Sequence, residues 1–204
     1  MKKIKSLFER DYEGTRRAYD SVVPGSEWVI NGEGVATVKF DGTSCMVSDG
    51  ILYKRYDRKL TKAGYRRKQN GETPTKGDFK PAPENWIAAE SEPNVHTGHW
   101  PGWLPVDFSA PENRWHYEAW KIFDCYLPDG TYELVGPKIG GNPHKLTEHD
   151  FWKHGSVVFD TDPPRDFYGL EEWFADTYIE GIVWHHPDGR MVKIKRSDFG
   201  YNWP

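Results

Sequence analysis

Cysteine is nearly absent. Cys45 and Cys125 are the two among 204 residues, too few for a disulfide framework and not at metal-ligand spacing from one another, which points to the cytoplasm. Long apolar runs are missing too. Met-Lys-Lys-Ile-Lys opens the sequence without the apolar stretch of a signal peptide, and no segment approaches the roughly 20 apolar residues of a membrane span. No membrane association is expected. Repeats and low-complexity tracts are absent, and the length suits a single domain over residues 1–204, expected to be a monomer. Nor is there an excess of positive charge: the formal net charge of −4 argues against a protein that simply coats nucleic acid.

What basic charge there is, is gathered in one place. Between Lys54 and Lys80 stand ten lysines and arginines against Asp57, Glu72 and Asp78, so this stretch is +7 and the remainder −11. Turn signals at Asn70-Gly71, Thr73-Pro74 and Lys76-Gly77 predict a flexible loop. Lys62, Arg66, Arg67 and Lys68 would then form a track for backbone phosphates, the ordinary alternative being a solvated loop.

Hydrophobic patterning predicts mostly strands. Residues 4–19 suit a short helix or an irregular arm; residues 25–30 read as a first strand and 34–39 as a second. Residues 43–48 and 51–56 form a hairpin around Asp49-Gly50, which pairs Ser44 with Arg55. From Pro81 to Trp115 the chain is rich in proline and tryptophan, and an ordered, irregular excursion packed by its own rings is expected. His96 and His99 lie in it without a further ligand at metal spacing. Residues 117–126 and 132–135 read as strands, 145–154 as the beginning of a helix, and 169–178 as a better one. Strands 180–185 and 191–196 around Pro187-Asp188-Gly189 close an α+β domain of antiparallel sheets.

The chemistry centres on Val35-Ala-Thr-Val-Lys39-Phe-Asp41-Gly42-Thr43, where a lysine ends an apolar strand and a turn follows at once. A lysine so placed faces a cleft. Desolvation or a neighbouring cation can turn such an amine into a nucleophile. In residues 191–196, alternation puts Lys193 and Lys195 on one face and Val192 and Ile194 on the other. Two ammonium groups side by side repel unless an anion lies between them, so a bound phosphate is expected, the alternative being a solvated edge. Whether Glu180 faces Lys195 depends on the turn: a two-residue loop at Pro187-Asp188 pairs them, whereas a bulge at Gly189 shifts the pairing by one.

Lys39-Phe-Asp-Gly, Arg55, Glu133 in Thr131-Tyr-Glu-Leu-Val-Gly, Glu180-Gly-Ile-Val and Val192-Lys-Ile-Lys195 follow in that order. Together they resemble the motifs of the covalent nucleotidyltransferases, the polynucleotide ligases and capping enzymes, and most of all a family of small 5′-3′ RNA ligases. The resemblance implies an antiparallel-sheet adenylation domain of the ATP-grasp-like ligase type without an appended OB domain, nine residues following Lys195. It implies ATP and Mg²⁺ or Mn²⁺ as cofactors, RNA with 5′-phosphate and 3′-hydroxyl ends as partner, and a place in RNA repair. Lys39 would take AMP as a phosphoramidate beside Asp41 and Gly42, with Lys193 and Lys195 on the phosphate. Glu180 would hold the metal with Glu133, while Glu133 and Arg55 would hold the ribose and Arg55 would meet an incoming 5′-phosphate. Phe151, Trp152 and Phe159 are candidates to stack on the purine. A GTP-using capping enzyme, a DNA ligase and a non-catalytic nucleotide- or RNA-binding module are the other readings.

Overall fold

The computed structural model describes residues 3–12 and 14–204, which fall into two compact units. One comprises Ile4–Asp41, Gly140–Lys145 and Trp152–Pro204; the other comprises Lys3, Gly42–Ile139 and Leu146–Phe151. Both are α+β with largely antiparallel sheets.

The unit carrying Lys39 is built on a four-stranded sheet in the order β1 (Lys5–Ser6), β14 (Met191–Lys195), β13 (Gly181–His185), β4 (Val35–Lys39). The β1–β14 pair is its parallel one. Alternation sends Ala36, Ile182, Trp184, Val192 and Ile194 to one face, where they join Leu7, Phe8, Val29 and Phe199 in the core. Helix α4 (Phe167–Asp176) adds Leu170 and Phe174, four residues apart on one helical face. It is the helix expected at 169–178 but begins two residues earlier, capped by the Asp166 carboxylate accepting from Gly169 N.

Two expectations for this unit are overturned. The described residues of 4–19 form neither helix nor arm: β1 joins the edge of β14, and β2 (Phe8–Arg10) pairs with β3 (Ala18–Val22). Leu7 and Phe8 are both fully buried, and sheet pairing outweighs a weak local preference. Residues 25–30 are not a strand but the short helix α1 (Glu27–Ile30). Pro24-Gly25 makes the turn, with Gly25 at φ +86°, and Glu27 turns back to accept from Gly25 N. Trp28 and Val29, adjacent in sequence, are both buried, which a helix turn allows and a half-exposed strand does not.

The other unit holds a six-stranded sheet in the order β12 (Asp150–Lys153), β11 (Gly130–Val135), β5 (Thr43–Ser48), β6 (Ile51–Arg55), β10 (Gly102–Pro105), β8 (Ile87–Ala88). The β5–β6 hairpin has the expected register, Ser48 opposite Ile51, across Asp49 and Gly50, both at positive φ as a type I′ turn requires. Its core includes Cys45, Val47, Leu52, Trp120, Leu134 and Phe151. Burial pushes the Cys45 thiol above its ordinary pKa, so it packs as a small apolar residue.

Here three expectations fail. Residues 117–126 are not a strand; helix α3 (Arg114–Ile122) runs through most of them, and its buried His116, Ala119 and Trp120 have helical spacing. Residues 145–154 begin no helix but lead into β12. The basic stretch is no flexible loop: Lys62–Gln69 is helix α2, capped by the Thr61 hydroxyl accepting from Gly64 N, a contact that contributes about 1 kcal/mol. Gly64 lets the helix lie on its neighbour, since a Cβ there would come within 2.7 Å of the Asp78 backbone oxygen. The Trp-rich excursion is ordered as expected, the Trp86 and Trp100 rings meeting edge to face at 5.8 Å. It is more regular than expected, contributing β8, β10 and a short ladder of β7 (Arg58–Lys59) with β9 (His99–Trp100).

Candidate active site

Lys39 is the last residue of β4, and the register sets Gly181 of β13 opposite it on one side and opposite Lys195 on the other. The row is Lys39–Gly181–Lys195. This is the shifted alternative for the hairpin: His185 pairs with Met191, and Gly189, at φ +89°, donates to His186 O within the wider turn. Glu180 therefore lies one step before β13, its backbone oxygen accepting from Arg196 N at 2.9 Å. Gly181 is held close to β14: a Cβ there would stand 2.2 Å from Ile194 O, so no larger residue keeps this pairing.

The Glu180 carboxylate is 4 % exposed and bridges the two lysines of the row, Oε2 at 2.7 Å from Lys39 Nζ and Oε1 at 2.7 Å from Lys195 Nζ. Lys39 also donates to Phe40 O at 3.2 Å. Lys193 shares the face of Lys195, as alternation required, and has no ion-pair partner among the described residues. Burial, with Lys195 and Lys39 adding like charge, pushes its ammonium down to about 8. Asp198 is near but engaged: its Oδ2 accepts from Lys195 N at 3.0 Å and its Oδ1 pairs with Arg10 at 3.3 Å. Two ammonium groups thus share one bridging carboxylate and a third beside them has none, an arrangement that an anion with several oxygens would complete.

Lys193 makes pH a readout of this crowding. Its folded pKa lies below the ordinary 10.5, so between about 8 and 10.5 the unfolded chain binds the proton and the folded chain does not. Stability should therefore rise with pH across that window. Lys193→Met should melt higher than the parent at pH 7 and lose this rise; denaturant titrations from pH 7 to 10.5 check it. Equal slopes for the two proteins would refute the crowding.

Next to Lys39, Asp41 is held from two sides. Trp203 Nε1 donates to its Oδ2 at 2.9 Å, and His144 Nε2 lies 3.2 Å from its N and 3.1 Å from its O. Trp152 meets the Phe40 ring edge-on at 5.0 Å and the His144 ring at 4.7 Å. The other two candidate stacking rings are engaged elsewhere: Phe151 in a core with Tyr132 and Trp120, Phe159 against Trp173.

Arg55 and Glu133 belong to the other unit. Glu133 is buried on β11 opposite Ser44 of β5, and the hairpin register, carried one residue further, sets Arg55 opposite Ser44. Arg55 Nε donates to Asp57 Oδ1 at 2.8 Å and its guanidinium lies 5.1 Å from the centre of the Trp103 ring. Gly42 allows β5 and β11 to approach, since a Cβ would fall 2.2 Å from Leu134 O. On α2 the four expected nucleic-acid residues divide: Arg67 pairs with Asp78 at 3.6 Å and Lys68 donates to His96 O, while Lys62 and Arg66 are unpaired among the described residues.

Sequence reasoning missed Asp198, His144 and Trp203. Asp198 stands three residues after Lys195 and accepts from its backbone N, but a lysine is no capping residue, so no local signal marks it. Nothing local marks His144 or Trp203, whose contacts with Asp41 span 103 and 162 residues.

Comparison with known proteins gives a family for the chain. The model of the RNA ligase 1 family matches residues 27–124 and 120–204. RNA ligase 1 of Danio rerio, of Rattus norvegicus and of Mus musculus are each 31 % identical to the chain over 222 aligned residues, which cover 83 % of it and 68 % of each of them. The ordered motifs, the lysine row around Gly181 and these matches together lead to one assignment: the chain belongs to the RNA ligase 1 family.

Proposed function

We propose that this chain is an ATP-dependent RNA ligase built on a nucleotidyltransferase fold. The observation that carries the reading is Glu180 bridging Lys39 and Lys195 across the Lys39–Gly181–Lys195 row, with Lys193 beside them. Lys39 Nζ, once deprotonated, attacks the α-phosphorus of ATP; the N–P bond forms, the P–O bond to pyrophosphate breaks, and AMP stays on the lysine. Glu180 Oε2 stands where it can accept the departing proton. Lys193 and Lys195 supply positive charge to the phosphoryl oxygens. AMP then passes to an RNA 5′-phosphate, and a 3′-hydroxyl displaces it to seal the strand.

Mg²⁺ or Mn²⁺, when bound, would neutralise charge on the phosphates and the leaving pyrophosphate. No group of three or more His, Cys, Asp or Glu gathers among the described residues. The donors fit an ion held by one protein carboxylate with phosphate oxygens and water, and Glu180 is that carboxylate in this unit. Glu133 is the second carboxylate that the motifs offer, and with Arg55 it is proposed for the ribose, Arg55 also for the incoming 5′-phosphate. Of the three candidate rings, Trp152, packed on Phe40 next to Lys39, is proposed to stack on the purine.

Incubation with α-labelled ATP, GTP or NAD, followed by denaturing electrophoresis, tests the reading. Label on the protein from ATP is expected. Label from GTP alone would make it a capping-type transferase, and none from any nucleotide a binding module.

A further inference from the structure

Helix α2 presents two unlike faces. Gly64 and Arg67 lie on Asp78, whereas Lys62, Tyr65, Arg66 and Gln69, at positions i, i+3, i+4 and i+7, share the opposite side. That side forms one wall of a cleft of about 550 Å³, to which Lys59 and Lys80 also contribute and no acidic residue does. Lys59, Lys62, Arg66 and Lys80 make no ion pair among the described residues. The acids nearby are already engaged, Asp78 by Arg67 and Thr75, Asp57 by Arg55, Glu92 by Lys76. In a chain of net charge −4, these four unpaired cations, with Lys68 beside them on the lining, make the cleft a site for a polyanion. Tyr65, between Lys62 and Arg66 on the same face, is 56 % exposed and offers a ring to a base.

We infer that this cleft binds single-stranded RNA, Lys59, Lys62, Arg66 and Lys80 taking the backbone phosphates and Tyr65 stacking one base. None of the residues assigned to the nucleotide lines it. The choice of RNA over other single strands rests on the proposed ligase function; the charge and the ring stand without it. Contact is sequence-tolerant, because neither phosphates nor a stacking face distinguishes bases. Lys68 also lines the cleft, donating to the neutral His96 O, whereas Arg67, paired with Asp78, does not.

The test uses the full chain and a fluorescent oligouridylate with a 5′-hydroxyl and a 3′-phosphate, which can be neither adenylylated nor sealed. Anisotropy titrations over a range of salt should give the parent a log–log slope of roughly −3, as expected for about four neutralised phosphates on a single strand. Lys62→Glu with Arg66→Glu should flatten that slope to about half and weaken binding by roughly tenfold or more at low salt. Tyr65→Ala should leave the slope alone and weaken binding by roughly tenfold. Lys121→Glu, a charge reversal on α3 outside the cleft, should match the parent. Parental affinity and slope in the Lys62/Arg66 variant would overturn the inference. So would competition by polyglutamate as effective per charge as by RNA, which would make the cleft a site for acidic proteins. Melting curves and labelling from ATP, run on the same variants, keep the two readings apart: RNA bound without label sinks the ligase, and label without cleft binding sinks the cleft.

Discussion

Lys39→Ala should carry no label from ATP. The covalent route needs an amine at that position, and the neighbouring lysines cannot replace it, since Lys195 is tied to the other oxygen of Glu180 and Lys193 starts two strands away. Loss of signal to below detection is expected from removing the nucleophile itself. The fold should survive. Glu180 keeps Lys195, so the missing pair should cost about 1 kcal/mol, a fall of roughly 2–4 °C in Tm. Lys39→Arg should fail equally, because a guanidinium stays protonated and cannot attack. An adduct surviving in either variant, seen by denaturing electrophoresis or intact mass, would refute the assignment.

Glu180→Gln should do more harm to the fold than Lys39→Ala. It keeps the size of the side chain but removes the carboxylate that two ammonium groups share, leaving three positive charges on one face with Lys193 already crowded. Breaking a buried pair from one side costs about 3–5 kcal/mol. A fall of roughly 10 °C in Tm is expected, and labelling should be lost. Sulfate or phosphate should raise the Tm of this variant more than that of the parent, because the anion supplies the charge the side chain no longer does. If Glu180 also serves the metal, extra Mg²⁺ should restore part of the labelling in Glu180→Ala and none in Lys193→Ala or Lys195→Ala. Equal rescue of all three would show that the roles are wrongly divided.

The site was more legible than the fold around it. Alternation alone put Lys193 and Lys195 on one face, and motif order tied them to Lys39 and Glu180. The bridging carboxylate was not legible, because the sequence left two registers open and the turn at Gly189 decides between them. Helix α3 was misread because Tyr117–Tyr126 is aromatic, a composition favoured in strands; the spacing of His116, Ala119, Trp120 and Phe123 carried the better signal. The strand at Lys5–Ser6 could not have been foreseen, since its partner lies nearly the whole chain away at Val192 and Lys193. For α2 the turn signals at 70–77 lie beyond the helix, whose own signals are local: Thr61 is a good cap and Lys62–Gln69 holds no proline.

The hairpin linking β13 to β14 constrains how such a sequence can drift. Gaining or losing one residue between His186 and Arg190, at an exposed tip, would slide one strand past the other by a single position. That step would turn Val192 and Ile194 toward the face that Lys39 and Glu180 occupy and drive Lys193 and Lys195 into the apolar core. Surface loops ordinarily absorb insertions cheaply. This one should not, and among related chains its length should vary less than that of loops whose flanking strands carry no paired lysines, so that a count of residues at the tip serves as a marker of an intact site at the other end.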